Sequence, residues 1–193
     1  MSKIYTNYIM ANQERKVFGV YIPSVLTSKV SLSINEIGNN MKQNLEKIIQ
    51  RNTEGKCIPE GFIRPNSVKI ISYSSGNVNN ENIEFHAMYE CMICFPVEGL
   101  VIDNCVIKTI TKAGIHAEVI DEDGTVPVTV FVARDHHFND TKFSEYGVDD
   151  KIKVNVIGSR FELNDKYISV IANIIHEDKG KKIEKKNIPI NII

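Results

Sequence analysis

Cys91-Met92-Ile93-Cys94 has the spacing of half a zinc site. A structural zinc takes four ligands, usually from two such pairs. The remaining cysteines, Cys57 and Cys105, each stand alone. The surrounding run IEFHAMYECMICF (83–95) reads as a strand, in which residues three apart point to opposite faces. Chelation by the pair is then awkward, and the expectation is buried strand cysteines acting as small apolar side chains. His136 and His137, with Asp135 and Asp140 beside them, have the residue types of a metal or acid–base centre. Adjacent residues rarely converge on one ion, and no helical period puts the two imidazoles together, so a polar insert is expected instead. The sequence carries no phosphate loop, nucleophile elbow or zinc-protease signature. It therefore predicts no catalytic centre, no metal site and no cofactor.

Composition narrows the classes further. The 193 residues are 42% hydrophobic and 24% charged, the balance of a globular protein rather than of a disordered, collagenous or disulfide-stapled one. No apolar run approaches the roughly 18 residues of a membrane span, and the first residues lack the apolar core of a signal peptide. An intracellular protein with no membrane partner is expected. The net charge of −1 argues against a strongly basic nucleic-acid binder. The charge is uneven: residues 1–97 carry 10 basic and 8 acidic side chains, residues 98–175 carry 8 and 13, and the tail from His176 sets five lysines against Glu177, Asp178 and Glu184.

The elements that must position these residues change character near Pro96. Residues 17–34 hold two β-rich runs broken around Pro23, and Val30, Leu32 and Ile34 alternate with Ser31 and Ser33 as in a half-buried strand. Ile37, Met41, Leu45, Ile48 and Ile49 then form one stripe, predicting a helix. Ser33 and Glu36 have capping-box spacing, Asn35 is an equally good cap, and Gly55 can end the helix. A Gly-rich connection (55–61) leads to strands over 67–73 and 83–95 that flank a loop at 74–80. The first part thus reads as an α+β unit, one helix on a small antiparallel sheet. Beyond Pro96 no amphipathic helix is evident. Strands are predicted at 100–111, 115–121, 126–132, 151–159 and 166–175, with a longer insert between the third and fourth. Five strands is the count of an all-β OB-type barrel. Val97 and Leu100 are expected to pack at the junction.

These residues also carry a resemblance. VEGLVID (97–103), KAGIHAEV (112–119), VFVAR (130–134) and DKIKVNVIG (150–158) look like an S1-type OB domain. MKQNL (41–45), EGKC (54–57), GFI (61–63), Tyr73, FHAMYE (85–90) and FPVEG (95–99) precede them in an order that resembles the seventh subunit of RNA polymerase II and its archaeal stalk relatives. The resemblance covers about residues 25–175. It departs in some 20 extra N-terminal residues, a shortened segment between the third and fourth barrel strands, and an added basic tail. It implies a tip domain (1–96), an S1-like OB domain (97–176) and a basic tail (177–193).

What the resemblance implies is a non-catalytic stalk subunit of a DNA-directed RNA polymerase. The tip domain would dock on the core polymerase subunits, through Gly55, Lys56, Cys57, Pro59, Gly61, Phe62, Ser75 and Gly76. The two segments holding these residues are expected together at the distal end of that domain. A second stalk subunit would pair along the seam between the domains, and the barrel would face nascent single-stranded RNA. Such barrels stack bases on exposed aromatics beside basic groups. The candidates are Lys108, Lys112, His116, Phe131, Arg134, Arg160 and Lys166. Phe131 is also readable as core, and the acidic surroundings make the expected contact weak. The same resemblance places a cellular protein in the nucleus or an archaeal cytoplasm. The departures, with 29 Ile and 19 Asn, suggest instead a large DNA virus and hence the host cytoplasm or the virion. The alternatives are a free-standing S1 protein of translation or RNA decay, and an adaptor with no nucleic-acid role.

Overall fold

The computed structural model describes residues 20–38, 40–79, 82–137 and 141–176. The N-terminal extension, the basic tail 177–193 and Asp140 lie outside the described residues. Strand β1 (Tyr21–Ser33) leads through a 3₁₀ turn (Ile34–Glu36) to helix α1 (Met41–Thr53). Four strands follow: β2 (Cys57–Ile58), β3 (Gly61–Ile63), β4 (Lys69–Tyr73) and β5 (Asn77–Asn79). The long β6 (Asn82–Cys94) is the spine of the sheet. One edge of β6 pairs antiparallel with all of β1, from Tyr21 opposite Cys94 to Ser33 opposite Asn82. Its other edge takes β5, β4 and β3 in turn, and β2 pairs beyond β3.

Alternation explains which face is covered. Val30 and Leu32 of β1 and Phe85, Ala87, Tyr89, Cys91 and Ile93 of β6 point one way and form one core with Leu45 and Ile49 of α1. Met41, Ile48 and Ile37 border that core. The apolar stripe therefore begins one turn before the helix does, and Asn40 rather than Ser33 or Asn35 holds the N-cap position of α1, without a side-chain capping bond. Ser33 and Glu36 do make their box, but around the 3₁₀ turn: the Glu36 carboxylate accepts from Ser33 N–H at 3.0 Å and from its hydroxyl at 3.1 Å. The expected break at Pro23 is absent. β1 lies at the edge of the sheet, where a missing N–H removes no ladder bond.

The second part is a closed five-stranded barrel, consistent with the expected OB architecture. Its strands are β7 (Val101–Ile110), β8 (Gly114–Val119), β9 (Val128–Ala133), β10 (Lys151–Arg160) and β11 (Ile168–Ile174). They run β7-β8-β9-β11-β10, with β10 closing on β7 and β9 parallel to β11. Register shifts in β7 and β10 let the long strands bend round two sides. Two 3₁₀ turns, Arg134–His137 and Thr141–Ser144, lie in the insert between β9 and β10.

The expected loop at 55–61 is a short hairpin, and it does not sit at the distal end. Cys57 and Phe62 pack with Tyr21 and Cys94 into the barrel core, beside Val128, Val154 and Ile168. The β10–β11 connection reaches back to them: Asn164 N–H donates to Cys57 O and Cys57 N–H to Asp165 O, each at 2.8 Å. Serine and glycine at 75 and 76 lie between β4 and β5, at the opposite end of the 13-residue β6. Gly76 faces Phe85, nine residues along β6 from the Cys94 that pairs with Phe62, or about 30 Å at 3.3 Å per residue. Backbone bonding to the barrel is the physical reason the two segments separate. The segment expected as loop at 74–80 also holds β5.

The junction differs from expectation in one further residue. Leu100 packs against the barrel core, whereas Val97 is 51% exposed. Val97 opens a tight turn closed by Leu100 N–H to Val97 O at 3.1 Å, with Gly99 at φ +82°, and this turns its side chain outward. Phe95 and Phe161 meet edge to face at 5.9 Å instead.

Candidate nucleic-acid interface

β9 alternates strictly: Val128, Val130 and Val132 are buried in the barrel while Thr129, Phe131 and Ala133 point outward. Phe131 is thus a half-buried surface ring, not core. Cross-strand register sets His116 of β8 opposite Phe131, and Ile171 of β11 on its other side. The His116 and Phe131 rings lie 4.7 Å apart, tilted by 43°. Ile171 is 49% exposed. Three adjacent strands therefore present a row, Ile171, Phe131 and His116, on the outside of the barrel. Ile171 is missing from the sequence-based candidates. Its signal was an apolar residue on the polar phase of the alternation from Ile168 to Ile174.

Basic groups flank this row unevenly. Lys112 is exposed in the β7–β8 turn. Arg134 follows β9, and its N–H donates to Ala113 O at 3.0 Å, which ties it to that same turn. Its guanidinium stands 5.4 Å from the Phe143 ring. Arg160 ends β10 opposite Ser169, on the other flank, where its guanidinium meets Glu162 at 3.2 Å. Lys166 is exposed in the turn before β11. Lys108 is drawn 4.0 Å from Asp149, toward the turn that precedes β10. The fold thus gathers Lys112, His116, Phe131 and Arg134 and sets Lys108, Arg160 and Lys166 apart from them. Glu118 is one step along β8 from the row, opposite Thr129.

The proposed docking residues also part company. Gly55 takes φ +67° just after α1, Lys56 is half-buried, Pro59 is exposed, and Cys57, Gly61 and Phe62 are buried beside the barrel. Ser75 and Gly76 are exposed at the far end, and a Cβ on Gly76 would strike Ile83 and Phe85.

The cysteines behave as strand geometry expects. Cys91 points into the core under α1 and Cys94 into the barrel-side core. Burial pushes the Cys57 and Cys91 thiols up to about 11 and those of Cys94 and Cys105 up to about 12. Among the described residues, no three His, Cys, Asp or Glu side chains are grouped to hold a metal ion. No described helix is long and apolar enough to cross a membrane.

No family model matches the chain. The chain is similar to protein L376 of Acanthamoeba polyphaga mimivirus, which is named as a DNA-directed RNA polymerase subunit. The two are 26% identical over 171 residues, which cover 81% of this chain and 82% of that protein. The similarity is thus long enough to take in both the sheet and the barrel.

Proposed function

We propose that this chain is a non-catalytic, stalk-type subunit of a DNA-directed RNA polymerase. The observation that carries the reading is the likeness to L376 over most of both chains. The fold supports it: a helix-covered antiparallel sheet leads directly into a five-stranded barrel, the order that the resemblance to the stalk family implies. In this reading residues 1–96 are the tip domain and residues 97–176 the S1-like OB domain. Core docking falls on the far end of the sheet, at Ser75, Gly76 and the exposed Val78. Lys56 and Pro59, at the barrel end, border the seam where a second stalk subunit would pack. The row of Ile171, Phe131 and His116, with Lys112 and Arg134 beside it, faces the emerging transcript. Stacking on such a row tolerates any sequence, since every base has a π face. The acidic barrel keeps the contact weak and sensitive to salt.

The test is affinity purification of the tagged full chain from native material, with the bound proteins identified. Recovery of the large catalytic polymerase subunits in stoichiometric amounts is the expected result. Recovery of ribosomal or RNA-decay proteins in their place would support a free-standing S1 protein and overturn the reading.

A further inference from the structure

His137 closes the 3₁₀ turn Arg134–His137 after β9, and both of its ring nitrogens face backbone. Nδ1 lies 3.1 Å from the carbonyl oxygen of Ala133. Nε2 lies 3.0 Å from the amide nitrogen of Ile174, at the end of β11. An amide N–H can only donate and a carbonyl can only accept. Nε2 must therefore carry the lone pair and Nδ1 the proton, so the two contacts select one neutral tautomer. The ring also stacks on Phe143, at 5.2 Å and 30°. Phe143 is a buried side chain of the turn Thr141–Ser144 and belongs to the barrel core. One imidazole thus ties three things together: the end of β9, the insert and the end of β11.

We propose that His137 is a proton-sensitive clasp, which holds the insert between β9 and β10 against the end of β11 and lets it go when the imidazole takes up a second proton. Protonation at Nε2 points an N–H at the N–H of Ile174. That bond is lost, and the amide of a residue only 8% exposed is left without its acceptor. Histidine is the side chain whose charge changes between pH 5 and 8.

Charged and titratable groups near the ring come from its own turn, from the insert, from the chain end and from β8, which packs on the same turn and carries His116 and Glu118. Among the described residues, β9 and β11 bring no charged or titratable side chain to it. Its own turn carries Arg134, Asp135 and His136. The turn Thr141–Ser144 has Lys142 in its sequence and is followed by Glu145 and Tyr146. His176 follows β11. Arg134 approaches the Phe143 ring, on which the imidazole stacks, at 5.4 Å. Asp135 and Glu145 are exposed. His176 also links the insert to the chain end, with Nδ1 3.1 Å from the Tyr146 hydroxyl. A hydroxyl can donate or accept, so this contact survives in either protonation state of His176. The clasp at His137 is independent of any polymerase role.

The test uses the full chain labelled with ¹⁵N, followed by NMR from pH 8 to pH 5. Long-range ring correlations should show the Nδ1-protonated tautomer of His137 at pH 8. Exchange of the Ile174 amide, corrected for its intrinsic pH dependence, should speed up about tenfold or more as the ring is protonated, the scale of one lost buried hydrogen bond. Amides of β8 should not follow it. In His137→Gln the side-chain oxygen can accept from Ile174 without titrating, and the corrected exchange should stay flat; in His176→Gln the rise should persist. An Nε2-protonated tautomer at pH 8 would overturn the proposal. So would a protonated His137 with Ile174 still protected, or the same rise in His137→Gln. Should His137→Gln not fold, the tautomer and the Ile174 exchange of the parent chain decide the matter.

Discussion

Cys57 and Asp165 are joined backbone to backbone, with the Cys57 N–H donating to the Asp165 carbonyl at 2.8 Å, across the boundary between the sheet and the barrel. The adjacent Asn164 N–H returns a bond to Cys57 O, and the Cys57 thiol reaches Tyr167 O at 3.7 Å. The β10–β11 connection is thus pinned to β2, and the two parts of the molecule share hydrogen bonds as well as a core.

Gly61 lies within that shared region at φ +129°, a conformation open to glycine alone, and a Cβ there would strike the Cys94 carbonyl. Gly61→Val should therefore destabilise the whole chain, by roughly 2–4 kcal/mol from backbone strain and displacement of β6. Urea unfolding monitored by circular dichroism measures it. A loss below 1 kcal/mol, with the barrel intact, would contradict a shared core. Gly76→Ala, at the other end, should weaken recovery of polymerase core in the purification while leaving the β10–β11 resonances of the barrel in place.

Arg64 and Asp121 provide a second link between the parts. Arg64 Nε lies 2.8 Å from one Asp121 oxygen and Nη2 3.2 Å from the other. The guanidinium also stands 5.4 Å from the Tyr21 ring. Both side chains are largely buried, at 19% and 10% exposure; removing Arg64 leaves Asp121 without its cation, whereas removing Asp121 leaves Arg64 only its 3.8 Å contact with the exposed Asp123. Arg64→Ala and Asp121→Ala should each cost more than the double variant implies by addition. A double-mutant cycle in urea should give a coupling of about 1–3 kcal/mol; a value near zero would make the pair a surface contact.

Side-chain periodicity was the most legible signal. The five barrel strands lie within about two residues of their expected ends, because each alternates apolar and polar residues around a closed core. Opposite placement of Cys91 and Cys94 followed from the same period. What could not be read depends on backbone or on partners distant in sequence. Nothing in the side chains of Asn164 and Asp165 announces that their amide and carbonyl belong to Cys57, so the 55–61 segment looked like a free loop. Pro23 reads as a strand break unless the strand is known to be an edge. Ser33 and Glu36 satisfy the capping pattern of α1 yet cap a shorter turn. In the candidate interface, His116 and Phe131 were legible by type, but only register shows that they face each other.

The buried thiols make stability depend on alkaline pH. Burial holds Cys57, Cys91, Cys94 and Cys105 at about 11 to 12, above the roughly 8.5 of a thiol in an unfolded chain. Between these values the unfolded chain has lost protons that the native chain retains, so the unfolded state gains with rising pH. Stability should be at its full value below about pH 8.5 and should fall progressively up to pH 11–12. Tyr89, pushed up to about 12 by burial, adds to the upper end of that fall. Urea midpoints at pH 8, 9.5 and 10.5 should decline in that order, and Cys94→Ala and Cys105→Ala together should shallow the decline. A constant midpoint would mean that the thiols are solvated in the native state.

Transcript contact should divide into stacking and charge. His116 and Phe131 lie side by side at 4.7 Å, so replacing either with Ala should weaken single-stranded RNA binding by about 1–3 kcal/mol with little change in salt slope. Each basic group that neutralises a phosphate contributes about 0.7 to the slope of log affinity against log salt. Lys112 and Arg134 sit together beside the row, whereas Arg160 is already engaged by Glu162. Lys112→Ala with Arg134→Ala should therefore flatten the slope by about 1.4, and Arg160→Ala should change it by less than either single variant. None of these substitutions touches the far end of the sheet, so recovery of polymerase core should be unchanged. Fluorescence anisotropy with a labelled single strand at four salt concentrations measures both terms. Equal slopes for parent and double variant would move the RNA path off this face, and a slope change confined to Arg160→Ala would move it to the β10–β11 side of the barrel.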